Sequence, residues 1–195
     1  MREIGALVES VRAASFPQLK DAHIAIQPMS SDYIYFESRF TLPSLLFQRQ
    51  LRYQVLYNPA ALSRRAPPDG LRAILAHELA HIDYFHRESR MGLVSLVLLL
   101  SAPFAARFER AADLEAIWLG YGPGLESYRV WLYRNVPPSR MEEKRRDYFS
   151  PEEIEAILRA AQQNPQIMGV FSACVPRGLK EVERLSRDPR APCPD

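Results

Sequence analysis

Residues 69–87, DGLRAILAHELAHIDYFHR, constrain this chain more than any other stretch. Leu71, Ile74, Leu75 and Ile82 recur at helical spacing, so the segment is predicted to be an amphipathic helix with one face in the core. Pro67, Pro68, Asp69 and Gly70 punctuate its start. Inside it stands His77-Glu78-Leu79-Ala80-His81. Positions four apart on a helix share a face one turn apart, so both imidazoles can reach one metal ion. Glu78 falls beside the open coordination position, where it can take a proton from a bound water and return it to a leaving amine. Zinc, the metal this donor set suits, lowers the pKa of its water to about 7.

A catalytic zinc commonly takes three protein ligands and a water. Two residues compete for the third place. Glu109 opens the run Glu109-Arg-Ala-Ala-Asp113 on a second predicted helix, residues 105–120. Asp113, one turn on, can accept the free N–H of a ligand histidine and so fix its tautomer. The rival is His86, five residues after His81 and about 140° round a continuous helix, which ligates only if that helix breaks first. The geometry favours Glu109.

Around these helices the pattern is mixed. Residues 2–14 read as an amphipathic helix, with Ile4, Leu7, Val8 and Val11 on one face. Residues 22–28, 33–40 and 51–58 are β-branched or aromatic and are predicted strands, the last with Leu51, Tyr53, Val55 and Tyr57 on one face. Residues 125–135 are predicted helical, and 136–149 form a proline-started, highly charged stretch. Ser150, Pro151 and Glu153 carry the signature of a helix start, for a helix running to about residue 163. A last short helix is expected at 179–187, before a proline-rich tail at 188–195.

HELAH followed by ERAADLEA resembles the gluzincin metallopeptidases. The resemblance is to the CAAX-prenyl-endopeptidase/HtpX-type family and its small soluble relatives, the minigluzincins. Their pattern is HExxH and then a Glu-x-x-Ala-Asp-x-x-Ala helix; here Glu109, Ala112, Asp113 and Ala116 match it. The resemblance covers residues 50–120. It implies zinc ligands His77, His81 and Glu109, base Glu78 and supporting Asp113. It further implies a strand ahead of the active-site helix that pairs with an extended peptide, and residues 51–58 fall there. One departure stands out. The larger members carry a downstream His-Pro segment that supports the substrate, and Val136 occupies the position of that histidine. Tyr121, Tyr128 and Tyr133 are the substitutes the sequence offers.

Composition narrows the alternatives. The 25 Lys+Arg against 23 Asp+Glu leave a net charge of +2, which makes no global electrostatic case for nucleic acid. That balance, with only two cysteines and hence no four-cysteine zinc ribbon, speaks against a DNA-associated metalloprotease of the SprT type. The N-terminus carries Glu3 and Glu9 and does not look like a secretory signal, so the expected compartment is the cytoplasm. Residues 91–106 are uncharged between Arg90 and Arg107. They are short of the ~20 residues a crossing needs. A single crossing would also put His81 and Glu109 on opposite faces of a bilayer. Peripheral membrane association through this segment is the alternative location.

The sequence therefore predicts an α/β (α+β) chain with a zincin-like metallopeptidase domain at 1–149. About three strands lie over the active-site helix, followed by a helical extension and tail at 150–195. The expected activity is zinc-dependent hydrolysis of peptide or protein substrates. The alternative is a weak or inactive metal-binding or interaction protein on the same scaffold, which Val136 favours. A minor expectation concerns the tail: Cys193 or Asp195 could be offered to the open position on zinc and silence it.

Overall fold

The computed structural model describes residues 2–47, 50–93 and 102–193. It is an α+β arrangement, predominantly helical, with one three-stranded mixed sheet. Helix α1 (Arg2–Ser15) buries Ile4, Val8 and Val11. Strands β1 (His23–Pro28) and β2 (Phe36–Phe40) follow, then the short helix α2 (Leu42–Phe47), β3 (Arg52–Tyr57) and α3 (Ala60–Ser63). Helix α4 (Pro68–Arg87) carries the His-Glu-x-x-His run. The remainder is helical: α5 (Ala102–Ala116), α6 (Gly122–Asn135), α7 (Pro138–Asp147), α8 (Pro151–Gln163), α9 (Ile167–Ala173) and α10 (Leu179–Arg187).

The sheet order is β1-β3-β2, with β1 parallel and β2 antiparallel to β3. Tyr53, Val55 and Tyr57 point from β3 into the core, as their alternation predicts. The expectation that residues 51–58 receive a peptide is corrected here. That strand is central, and both of its edges are already hydrogen-bonded; the edge next to α4 belongs to β2. The strand expected at 33–40 starts later, at Phe36, because Ser31 Oγ accepts the N–H groups of Tyr33 and Ile34 and folds the backbone into a side-chain-closed turn.

Helix α4 is the centre of the molecule, buried along most of its length. It packs on β2, α1, α5 and most extensively on α6. That last approach requires glycine: a Cβ on Gly124 would stand 2.5 Å from the Asp69 carbonyl oxygen at the start of α4. The helix predicted for residues 105–120 closes in a wide π-type turn over Ile117–Tyr121 rather than a full stop. Gly120 sits there at φ 91°, a left-handed conformation that glycine adopts without strain, and α6 begins at once. Helix α8 starts on the expected capping box, Ser150 Oγ accepting from Glu153 N–H and the Glu153 carboxylate from Ser150 N–H. Glu153 also pairs with the buried Arg110 of α5 at 2.9 Å, which ties α8 to the helix carrying Glu109.

The C-terminal segment folds back on α10. Cys193 is disulfide-bonded to Cys174, and Arg184 donates to the Pro192 carbonyl. The Cys193 thiolate proposed as an inhibitory ligand is thus consumed in a covalent bond, and Asp195 lies outside the described residues. Residues 94–101 of the uncharged segment at 91–106 also lie outside them. Among the described residues, no helix is long and apolar enough to cross a membrane.

Candidate metal centre

His77, Glu78 and His81 lie on the buried side of α4. Helix α5 packs against that side and presents Glu109 and Asp113 one turn apart. His77 Nε2, His81 Nε2 and Glu109 Oε2 stand 3.1 Å from one another, an equilateral triangle of ligand atoms. Tetrahedral ligands about 2.0–2.1 Å from zinc would stand slightly more than 3 Å apart. Among the described residues this is the one group with such spacing. His86 is elsewhere: α4 continues unbroken to Arg87, and His86 Nδ1 is 3.2 Å from the Tyr53 hydroxyl.

The protonation of the group explains why the triangle suits a cation. Asp113 Oδ1 is 2.7 Å from His77 Nδ1, so this ring nitrogen carries hydrogen and donates it. A neutral His77 then aims the lone pair of Nε2 at Glu109 Oε2, a second acceptor. Two acceptors at 3.1 Å repel unless a proton or a metal ion lies between them. The metal-free group responds by taking up protons: burial opposes charge on His77, but Asp113 and then Glu109 outweigh it and raise its pKa to about 10. Burial pushes Glu109 up, yet His81 and His77 hold it well below the usual carboxylate range. Glu78 is raised, chiefly by burial, with the two histidines pulling the other way. With a metal ion held there, those protons would be displaced and both imidazoles would serve as neutral donors.

Asp113 is fully buried and saturated with donors. Besides His77 it accepts from Arg129 Nη2 at 2.7 Å and from the Phe149 backbone N–H at 3.1 Å. Arg129 comes from α6, is itself 1% exposed, and lies over the Tyr148 ring at 4.4 Å. One carboxylate thus joins α4, α5, α6 and the segment after α7.

The group opens into a cleft of about 290 Å³. Strand β2 forms one wall with Phe36, Glu37 and Ser38; Lys144 and Tyr148 form the wall opposite. An apolar hollow of about 400 Å³ adjoins it, lined by Phe40, Phe85, Phe104 and Phe108. Neither Lys144 nor Tyr148 is marked out by the sequence. Burial, then Arg129, lowers the pKa of Lys144, while burial and Glu109 raise Tyr148 well above its ordinary value. The three tyrosines that the sequence offered are placed elsewhere. Tyr128 is in the core, Tyr121 pairs with Ser15 at 2.9 Å, and Tyr133 faces Arg145. Val136 is a core residue. Tyr148 was not legible in sequence because nothing in the spacing joins residue 148 to residue 77; only folding brings their rings to 5.9 Å.

No family model matches the chain, and no curated protein or solved structure matches it.

Proposed function

We propose that this chain is a zinc-dependent peptidase of gluzincin type. The observation that carries the reading is the 3.1 Å triangle of His77, His81 and Glu109 lone pairs, with Glu78 lining the same cleft. Zinc held there supplies a Lewis acid that makes the proton of water labile near neutral pH. Asp113 orients His77 through Nδ1 and leaves Nε2 as the donor atom. Glu78, a carboxylate with its pKa raised by burial, accepts the proton from the attacking water and passes it to the departing amine.

The edge of β2 beside the cleft, unpaired among the described residues, offers N–H and C=O groups to an extended peptide, which would add as a further strand. The phenylalanine-lined hollow favours a bulky apolar side chain near the scissile bond. Tyr148 takes the place of the histidine that Val136 replaces, holding the negative charge that develops on the carbonyl oxygen. Tyr148→Phe is expected to lower kcat by about 10–1,000-fold with KM little changed. Steady-state kinetics on an apolar-flanked peptide checks it, and an unaltered kcat removes Tyr148 from the reaction.

The reading is tested by metal content and cleavage measured together. Wild-type protein should hold one zinc and cut a broad peptide library. Glu109→Ala should lose both, whereas His86→Ala should keep both. Zinc lost by His86→Ala and retained by Glu109→Ala reverses the ligand assignment. One zinc without turnover on any peptide replaces the peptidase by the metal-binding scaffold.

A further inference from the structure

On the other side of α5 and α7 from the metal centre lies a second hollow, of about 300 Å³. Its lining is Arg107, Arg110, Arg145, Arg146 and Arg177, with only Ala106 and Val175 between them. Five arginines around one hollow with no carboxylate in its wall is not a solvated face of mixed charge. The helix spacing separates the two sites: Ala105, Phe108 and Glu109 of α5 face the metal cleft, while Ala106, Arg107 and Arg110 face this hollow.

The arginines play two roles. Arg110 is structural, 3% exposed, and forms the floor. It donates to Glu153, to the Pro176 carbonyl, and to the carbonyls of Arg145 and Arg146 at the end of α7. These bonds use four of the five guanidinium N–H groups and leave one on Nη2. They also fix where α7 and the Val175–Arg177 segment deliver their side chains. Arg146 is offset by Asp147 at 2.7 Å. Arg107, Arg145 and Arg177 are exposed and, among the described residues, have no carboxylate within ion-pair distance. Glu181 accepts the Arg177 backbone N–H at 2.7 Å, and its carboxylate forms no ion pair with the Arg177 guanidinium. Three like charges held around a hollow repel one another, and a multiply charged anion between them relieves that repulsion while accepting several guanidinium hydrogen bonds.

We infer that this hollow binds a phosphate group, free or carried on a serine side chain. Its volume is at the small end for ligand sites, which suits a compact anion better than an extended polyanion.

The experiment is calorimetric titration of the full chain with inorganic phosphate and with O-phosphoserine, at a fixed chloride concentration near 0.15 M. Saturable one-to-one binding of at least one of them is expected. Arg107→Ala combined with Arg177→Ala should weaken it about tenfold or more. Arg2→Ala combined with Arg159→Ala removes the same net charge far from the hollow and should leave binding unchanged. Phosphate alone binding identifies a free anion; preference for O-phosphoserine identifies a modified side chain. Absence of saturable binding of either, or equal weakening by both double variants, overturns the assignment.

Discussion

Glu78→Gln is expected to retain the metal and lose hydrolysis, by about 100–10,000-fold in kcat. The substitution keeps the shape of a side chain that is only 4% exposed, so packing along α4 is preserved. It removes the carboxylate that lines the cleft beside the two histidines and whose pKa burial raises. Stability should not fall, since burial disfavours the charged carboxylate and a neutral amide escapes that cost. Zinc by elemental analysis together with peptide hydrolysis reads both sides. Cleavage at the wild-type rate would remove Glu78 from the mechanism; zinc lost along with activity would make it a ligand instead.

Asp113→Ala is expected to have the second large effect, and it is two effects. The His77 N–H loses its acceptor, which should weaken zinc about 10–100-fold. Arg129 is left as a buried, uncompensated cation, a loss of about 3–5 kcal/mol. Against a typical total of about 5–15 kcal/mol, that brings the fold close to its limit. A second change separates the two. Asp113→Ala with Arg129→Leu removes the stranded charge, so denaturant midpoints should recover in part while zinc affinity stays low. Recovery of both in the double variant would mean that Asp113 acts on the metal only through the fold.

The helix at 69–87 was legible because periodicity is a local property; the approach of Glu109 to the two histidines was expected from the likeness of HELAH and ERAADLEA to a known pair of motifs, since no local spacing joins residue 109 to residues 77 and 81. The capping box at Ser150 was legible for the same reason. Strand order was not: the alternation of Tyr53, Val55 and Tyr57 gives a buried face but says nothing of which edge is free, so the receiving edge was assigned to the wrong strand. Arg129 was missed because an arginine inside an ordinary helix reads as solvated; its burial follows from Asp113, 16 residues earlier. The pairing of Cys174 with Cys193 was missed because two cysteines 19 residues apart are close only once α9 and α10 have turned back on each other.

Strand β2 has a cost built into its position. An edge that can take up an extended peptide can equally take up the same edge of a second molecule, and repeated addition of that kind is the start of a fibril. The strand is guarded in two ways. It is five residues long, too short to template a wide sheet. It also carries Glu37 and Arg39 on one face, bonded to each other at 2.5 and 2.7 Å, so an approaching strand must meet a charged pair rather than a smooth apolar surface. Neutralising both residues would keep the edge and leave the shortness of the strand as its remaining guard.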